Sequence, residues 1–199
     1  MQVFRFFINS IPYMLICIPF EVLIRTIIFF IRKNNKININ LWHEFGLLFF
    51  IMFCVGIASQ TIIPKIELGS NNLIVDGNLK GEINFIPGTV FINTYKECFE
   101  NGNSSYFIIN FLGNICIFVP IGFGTQLLWN NVTLKKTIII GLISSVFIEL
   151  CQLPQARGTD IDDIWINVLG IIIGFSLYRL VTKNSTINCF FKKFKYIIS

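Results

Sequence analysis

The sequence predicts an all-α integral membrane protein of about five transmembrane helices with a short outer-loop hairpin, and three observations predict it. Of the 199 residues, 54% are hydrophobic and 14% charged, with a mean hydropathy of +0.69. A soluble domain carries roughly 25% charged residues. The apolar residues gather into runs close to the ~20 residues that cross hydrocarbon. The basic residues gather in alternate links between those runs. The net charge of +5 does not point to nucleic acid, because Lys and Arg sit at the ends of apolar runs and form no stripe with interleaved aromatics. No nucleic-acid partner is expected.

The first run, residues 11–31, is interrupted by Pro19, Glu21 and Arg25. Glu21 and Arg25 stand four apart, so on a helix they share a face and can pair. No small-residue cleavage site follows, which argues against a signal peptide. The second run covers residues 41–63, the third 106–129, the fourth and shortest 137–153, and the fifth 164–182. The organisation expected is an amino-terminal helix with a basic cytoplasmic loop (1–40), a membrane domain (41–182) and a basic cytoplasmic tail (183–199).

The links set the orientation. Arg32, Lys33 and Lys36 occupy the first link, Lys135 and Lys136 precede the fourth run, and Arg179, Lys183, Lys192, Lys193 and Lys195 mark the carboxyl end, with no acid among them. All three are expected in the cytoplasm. Residues 64–105 set Lys65, Lys80 and Lys96 against Glu67, Asp76, Glu82, Glu97 and Glu100. Residues 154–163 set Arg157 against Asp160, Asp162 and Asp163. Both are expected outside, which also places the amino terminus outside despite Arg5. In the longer outer loop, Asp76-Gly77 suits a tight hairpin turn within 73–84. The apolar stretch 85–99, broken at Pro87-Gly88, is expected to lie in the interface or dip back into the bilayer.

Cys17, Cys54, Cys98, Cys116, Cys151 and Cys189 form no Cys-x-x-Cys pair and are expected as buried apolar fillers, not as a disulfide framework or zinc site. His43 is expected as an interfacial anchor. Gly170 and Gly174 form a small-xxx-small face suited to close packing inside the bundle. Pro120, with Gly122 and Gly124, is expected to kink the third run.

The polar residues in the last three runs are the informative ones. A carboxylate near a helix centre costs about 2.5–3.5 kcal/mol on insertion scales, so such residues face protein or water and mark function. Asn110 and Asn114 share a helix face; Glu149 and Gln152 end the fourth run; Asn167 lies one turn into the fifth. Structural roles compete. Thr159 with Asp162 fits a capping box. Asp163 and Asn167 can pair with Asn110 or Asn114 across the bundle. Arg157 can neutralise Glu149.

Asn84, Phe85, Ile86 and Pro87; Gly113 and Asn114 followed by Phe118, Val119, Pro120, Ile121, Gly122 and Phe123; Glu149 with Gln152; and Arg157, Gly158, Thr159, Asp160, Ile161, Asp162 and Asp163 leading to Asn167 and Gly170 together resemble the VanZ-like family. The resemblance runs from about residue 41 to residue 180, and its section from Glu149 to Gly170 is the specific one. The family is named for a protein that confers low-level resistance to teicoplanin, a glycopeptide acting on the cell wall. The implied setting is a bacterial cell membrane, which the heavy use of Ile, Asn and Lys also suits. The implied functional face is Asn114, Glu149, Gln152, Arg157, Asp160, Asp163 and Asn167.

Two functions follow as expectations. The first is a non-enzymatic membrane protein that alters glycopeptide access at the outer face, with membrane lipid, a glycopeptide antibiotic or a lipid-linked cell-wall precursor as partner. It expects no cofactor and no metal, and rests on an outward polar cluster without a nucleophile–base set. The alternative is an intramembrane enzyme acting on a lipid-linked phosphate. There Asp160, Asp162 and Asp163 would hold a divalent cation, Arg157 would grip phosphate, and the catalytic candidates would be Glu149 and Asp163. A transporter is less favoured, because no inverted repeat is present.

Overall fold

The computed structural model describes residues 2–34, 39–63, 66–68, 73–75, 83–100, 102, 108–153 and 159–196. Its helices are α1 (Gln2–Asn34), α2 (Leu41–Thr61), α3 (Thr89–Tyr95), α4 (Asn114–Leu128), α5 (Leu134–Gln152), α6 (Ile161–Val181) and α7 (Ser185–Lys192). Among the described residues, four helices are long and apolar enough to cross a membrane: Ile8–Asn34, Leu41–Thr61, Phe111–Leu128 and Ile161–Val181. The chain is an all-α, multi-pass membrane protein. Helix α5, the fourth run of the sequence, has 19 residues and packs beside α6; Lys135, Lys136 and Glu149 dilute its apolar character.

Helix starts follow from capping chemistry. Asn40, Thr133, Asp160 and Asn184 each accept from the backbone of the helix that follows, removing one orphan donor from each of the first three helices and two from the last. The start of α6 therefore corrects the expected box: Asp160 caps it, not Thr159, and the Asp162 carboxylate turns away to other partners.

Helices α4 and α6 form the centre of the bundle and run parallel. A Cβ at Gly174 would stand 2.0 Å from the Val119 carbonyl oxygen, and one at Gly122 would stand 2.0 Å from that of Ile171. Only glycine permits this backbone approach, so the Gly170/Gly174 face is an internal seam as expected. Helix α4 continues through Pro120. Ile57, Phe118, Ile121, Ile148 and Ile171 fill the middle of the bundle, drawing on α2, α4, α5 and α6. The perimeter is apolar, with Phe20, Phe30, Ile143 and Phe147 exposed, as lipid-facing surfaces are.

Helix α1 lies on that perimeter against α2, where the Met14 side chain enters the space left by Gly56. The expected Glu21–Arg25 pair forms at 3.3 Å and extends to α2: Arg25 reaches Glu44 at 3.2 Å and Arg32 reaches Glu44 at 2.8 Å.

The carboxyl end folds back on the helix ends. His43, expected at the interface, is instead 3% exposed; its Nδ1 lies 2.9 Å from the Phe194 carbonyl oxygen, between the rings of Trp129 and Tyr196. The Asn40 amide donates to the carbonyls of Lys193 and Lys195, and the Tyr196 amide donates to that of Leu128. Lys195 donates to the carbonyls of Gln126 and Trp129, and burial lowers the pKa of its ammonium.

Two further expectations change. The hairpin consists of β1 (Ile66–Leu68) and β2 (Leu73–Val75), antiparallel with Leu68 opposite Leu73. The expected turn at Asp76-Gly77 lies outside the described residues. No cysteine is fully buried: Cys116 and Cys189 are exposed and the other four are half-buried, and none is in a disulfide among the described residues.

Candidate functional site

The site lies at the end of the bundle where α5 finishes and α6 starts. Strand β3 (Ile83–Asn84) runs parallel to β4 (Thr159–Asp160), placing Asn84 opposite Asp160. The link before α3 is thereby laid along the link before α6. Gly88 then takes φ +89, a left-handed turn that suits glycine, and α3 begins.

Asp162 secures this arrangement. Its carboxylate is 1% exposed and accepts from the Gly88 amide at 2.8 Å, the Val90 amide at 2.8 Å, the Thr89 hydroxyl at 3.1 Å and the Trp165 indole at 2.8 Å. Four donors satisfy the anion without a cation. Asp160 serves the same junction. One oxygen caps α6 at 2.9 Å, and the other accepts from Asn84 at 3.1 Å. Asn84 also donates to Thr89. Below the junction Val90 packs with Ile115 and Ile166, and the Phe91 ring stacks on Trp165. The apolar stretch after Pro87 is therefore seated on the bundle, with Ile92, Tyr95 and Phe99 left exposed beside it.

A second polar set runs inward between α4, α5 and α6. The Asn114 amide donates to Asp163 at 2.8 Å. A π-helical turn, Ile108–Gly113, leads directly into Asn114, an irregularity frequent at functional positions. Glu149, 5% exposed, receives the Asp160 backbone amide and lies within electrostatic reach of Asp163 and Asp160. One turn deeper, Asn167 donates to the Ser145 hydroxyl at 2.9 Å. Two buried acceptors here lack a partner among the described residues, Glu149 Oε2 and Asn167 Oδ1.

The structure thus sorts the residues named from sequence. It brings Asn114, Glu149, Asp163 and Asn167 together. It assigns Asp160 to the loop junction, and it ties Gln152 to the end of α2, where its amide donates to the Thr61 carbonyl at 3.1 Å. Arg157, with its expected pairing to Glu149, lies outside the described residues, as does the side chain of Asn110. Asp163 bonds Asn114 as one expectation had it, whereas Asn167 bonds Ser145. Among the described residues, no group of three His, Cys, Asp or Glu side chains is placed to hold a metal ion.

A family model described as VanZ/LLP1 matches residues 45–182. The chain belongs to the VanZ/LLP1 family. No curated protein and no solved structure matches it. The matched VanZ/LLP1 segment takes in α2 from Phe45 onward through α6, and with them every residue of both polar sets. Helices α1 and α7 fall outside it.

Sequence reasoning missed four contributors to this VanZ/LLP1 site: Asn84, Ser145, Gly88 and Val90. Asn84 belonged to a recognised motif but was given no role. Ser145 stands one turn before Glu149 on the same face, a periodicity that was readable. For Asp162 the sequence offers a capping box or a cation ligand, and the structure instead engages its carboxylate with the amides of Gly88 and Val90. Gly88 and Val90 contribute backbone amides only, and a sequence carries no signal for those.

Proposed function

We propose that this VanZ/LLP1 protein is a non-enzymatic protein of the bacterial cell envelope that binds an amphiphilic ligand at the outer face of the membrane. In doing so it changes susceptibility to teicoplanin-type glycopeptides or access to a lipid-linked wall precursor. The observation that supports it is the Asn114–Asp163 hydrogen bond beside Glu149, whose buried Oε2 has no partner among the described residues. A polar group left unsatisfied in an apolar bundle is costly, which fits a position kept for binding rather than for stability. The alternating Lys/Arg bias supports the orientation, with the site outside and the carboxyl end in the cytoplasm.

The metal-dependent alternative draws less support from the donor set. Asp162 has both oxygens engaged by loop donors and Asp160 has both engaged at the junction, which leaves Asp163 alone of the three.

Expression in a glycopeptide-sensitive bacterial host tests the reading. Wild type should shift teicoplanin susceptibility, and Asp163→Asn should abolish the shift at equal membrane abundance. An unchanged susceptibility with wild-type protein fully inserted would overturn the proposal.

A further inference from the structure

Glu149 and Asn167 stand on different helices, each more than nine-tenths buried, and each presents an oxygen without a partner among the described residues. Both atoms are acceptors, so what each lacks is a donor. Their positions are related. Ser145 and Glu149 are one turn apart on α5, Asp163 and Asn167 are one turn apart on α6, and the Asn167–Ser145 hydrogen bond fixes the two helices in register. The two residues that carry the orphan acceptors therefore stand in adjacent layers, one helix turn apart along the axis.

Charge points the same way. Glu149, Asp160 and Asp163 lie within mutual electrostatic reach. The three salt bridges among the described residues all lie elsewhere, between α1 and α2 or within α1. From Glu149 to Asp163 the sequence holds four acids and one cation, Arg157.

We infer that the space between Glu149, Asp163 and Asn167 is a subsite for the ammonium group of a ligand. This rests on the reading above that the face is a binding site, and it names the chemistry that site recognises. An ammonium has three donors and no acceptor. Its N–H groups diverge, so each can supply a different acceptor through a charge-assisted bond of about 2.8 Å. It serves Glu149 Oε2 and Asn167 Oδ1 together and balances a carboxylate in low dielectric. A phosphate brings only acceptors and negative charge to a place already supplied with both. The head group entering this end of the bundle is therefore an amine.

Binding of octylammonium, ethylammonium and octyl phosphate to the purified full chain in an uncharged maltoside detergent tests this by calorimetric titration. Octylammonium should bind at least about tenfold more tightly than octyl phosphate. Glu149→Gln should remove that preference, while Asn167→Asp, which keeps an acceptor oxygen, should retain or strengthen it. Octylammonium stronger than ethylammonium identifies a membrane amphiphile as the source, and equal binding identifies a soluble amine; both support the subsite. Octyl phosphate binding as tightly as octylammonium, or neither probe binding, overturns it. Because binding is read without any susceptibility assay, a failed teicoplanin phenotype with intact amine binding would remove the resistance reading alone. The reverse result would remove the ammonium subsite alone.

Discussion

The carboxylate of Asp162 and the backbone amide of Val90 meet at 2.8 Å although 72 positions separate them. This bond and its companion to Gly88 make the first turn of α6 the anchor of the long link between α2 and α4. Asp162→Ala would leave the buried Val90 amide, the half-buried Gly88 amide and the Trp165 indole without acceptors. At about 1–3 kcal/mol for each group left unsatisfied, the loss should be about 3 kcal/mol or more. A lower melting temperature in detergent and faster proteolysis within residues 85–100 are expected. Wild-type melting and wild-type cutting would show that the link is held by other means.

The seam between α4 and α6 makes a separate demand. At Gly174 any Cβ meets the Val119 carbonyl and, at 2.8 Å, the Phe123 amide nitrogen, and backbone cannot step aside as a side chain can. Gly174→Leu should therefore force the helices apart and reduce folded yield sharply. Gly174→Ala should already lower the melting temperature. An unchanged profile for the leucine variant would place this face away from α4.

Glu149 is expected to behave oppositely to Asp162. Its Oε2 is buried and unpaired among the described residues, so the wild-type residue costs stability when no ligand is bound. Glu149→Gln keeps the shape, removes the ionisable group and adds donors near the unpaired Asn167 oxygen. Folded protein should be equally abundant or more stable by up to about 1–3 kcal/mol, with the susceptibility phenotype lost. A marked fall in melting temperature would make Glu149 a structural residue.

Orientation is open to direct labelling. With Lys135 replaced by cysteine in a background lacking the native cysteines, a membrane-impermeant maleimide should fail to label intact cells. The same reagent should label a cysteine at Asp76. Labelling at position 135 from outside would invert the topology and move the proposed site to the cytoplasmic face.

Much of the architecture was legible because hydrocarbon imposes a single requirement on every span. Each apolar run in the sequence corresponds to a helix, and the Glu21–Arg25 pair and the Gly170/Gly174 seam follow from helical spacing alone. These are local properties, set by residues within one or two turns of each other. The family motifs likewise marked the stretch that became the polar end of the bundle. What only the tertiary structure decided are the long-range partners. Asp160 and Asp162 bind the link before α3, Gln152 binds the end of α2, and His43 is buried under Phe194 and Tyr196. The division of the polar residues into a satisfied junction and an unsatisfied inner set was likewise invisible. A carboxylate's role depends on which donors reach it, and here those are backbone amides and side chains brought in by the fold from distant parts of the chain.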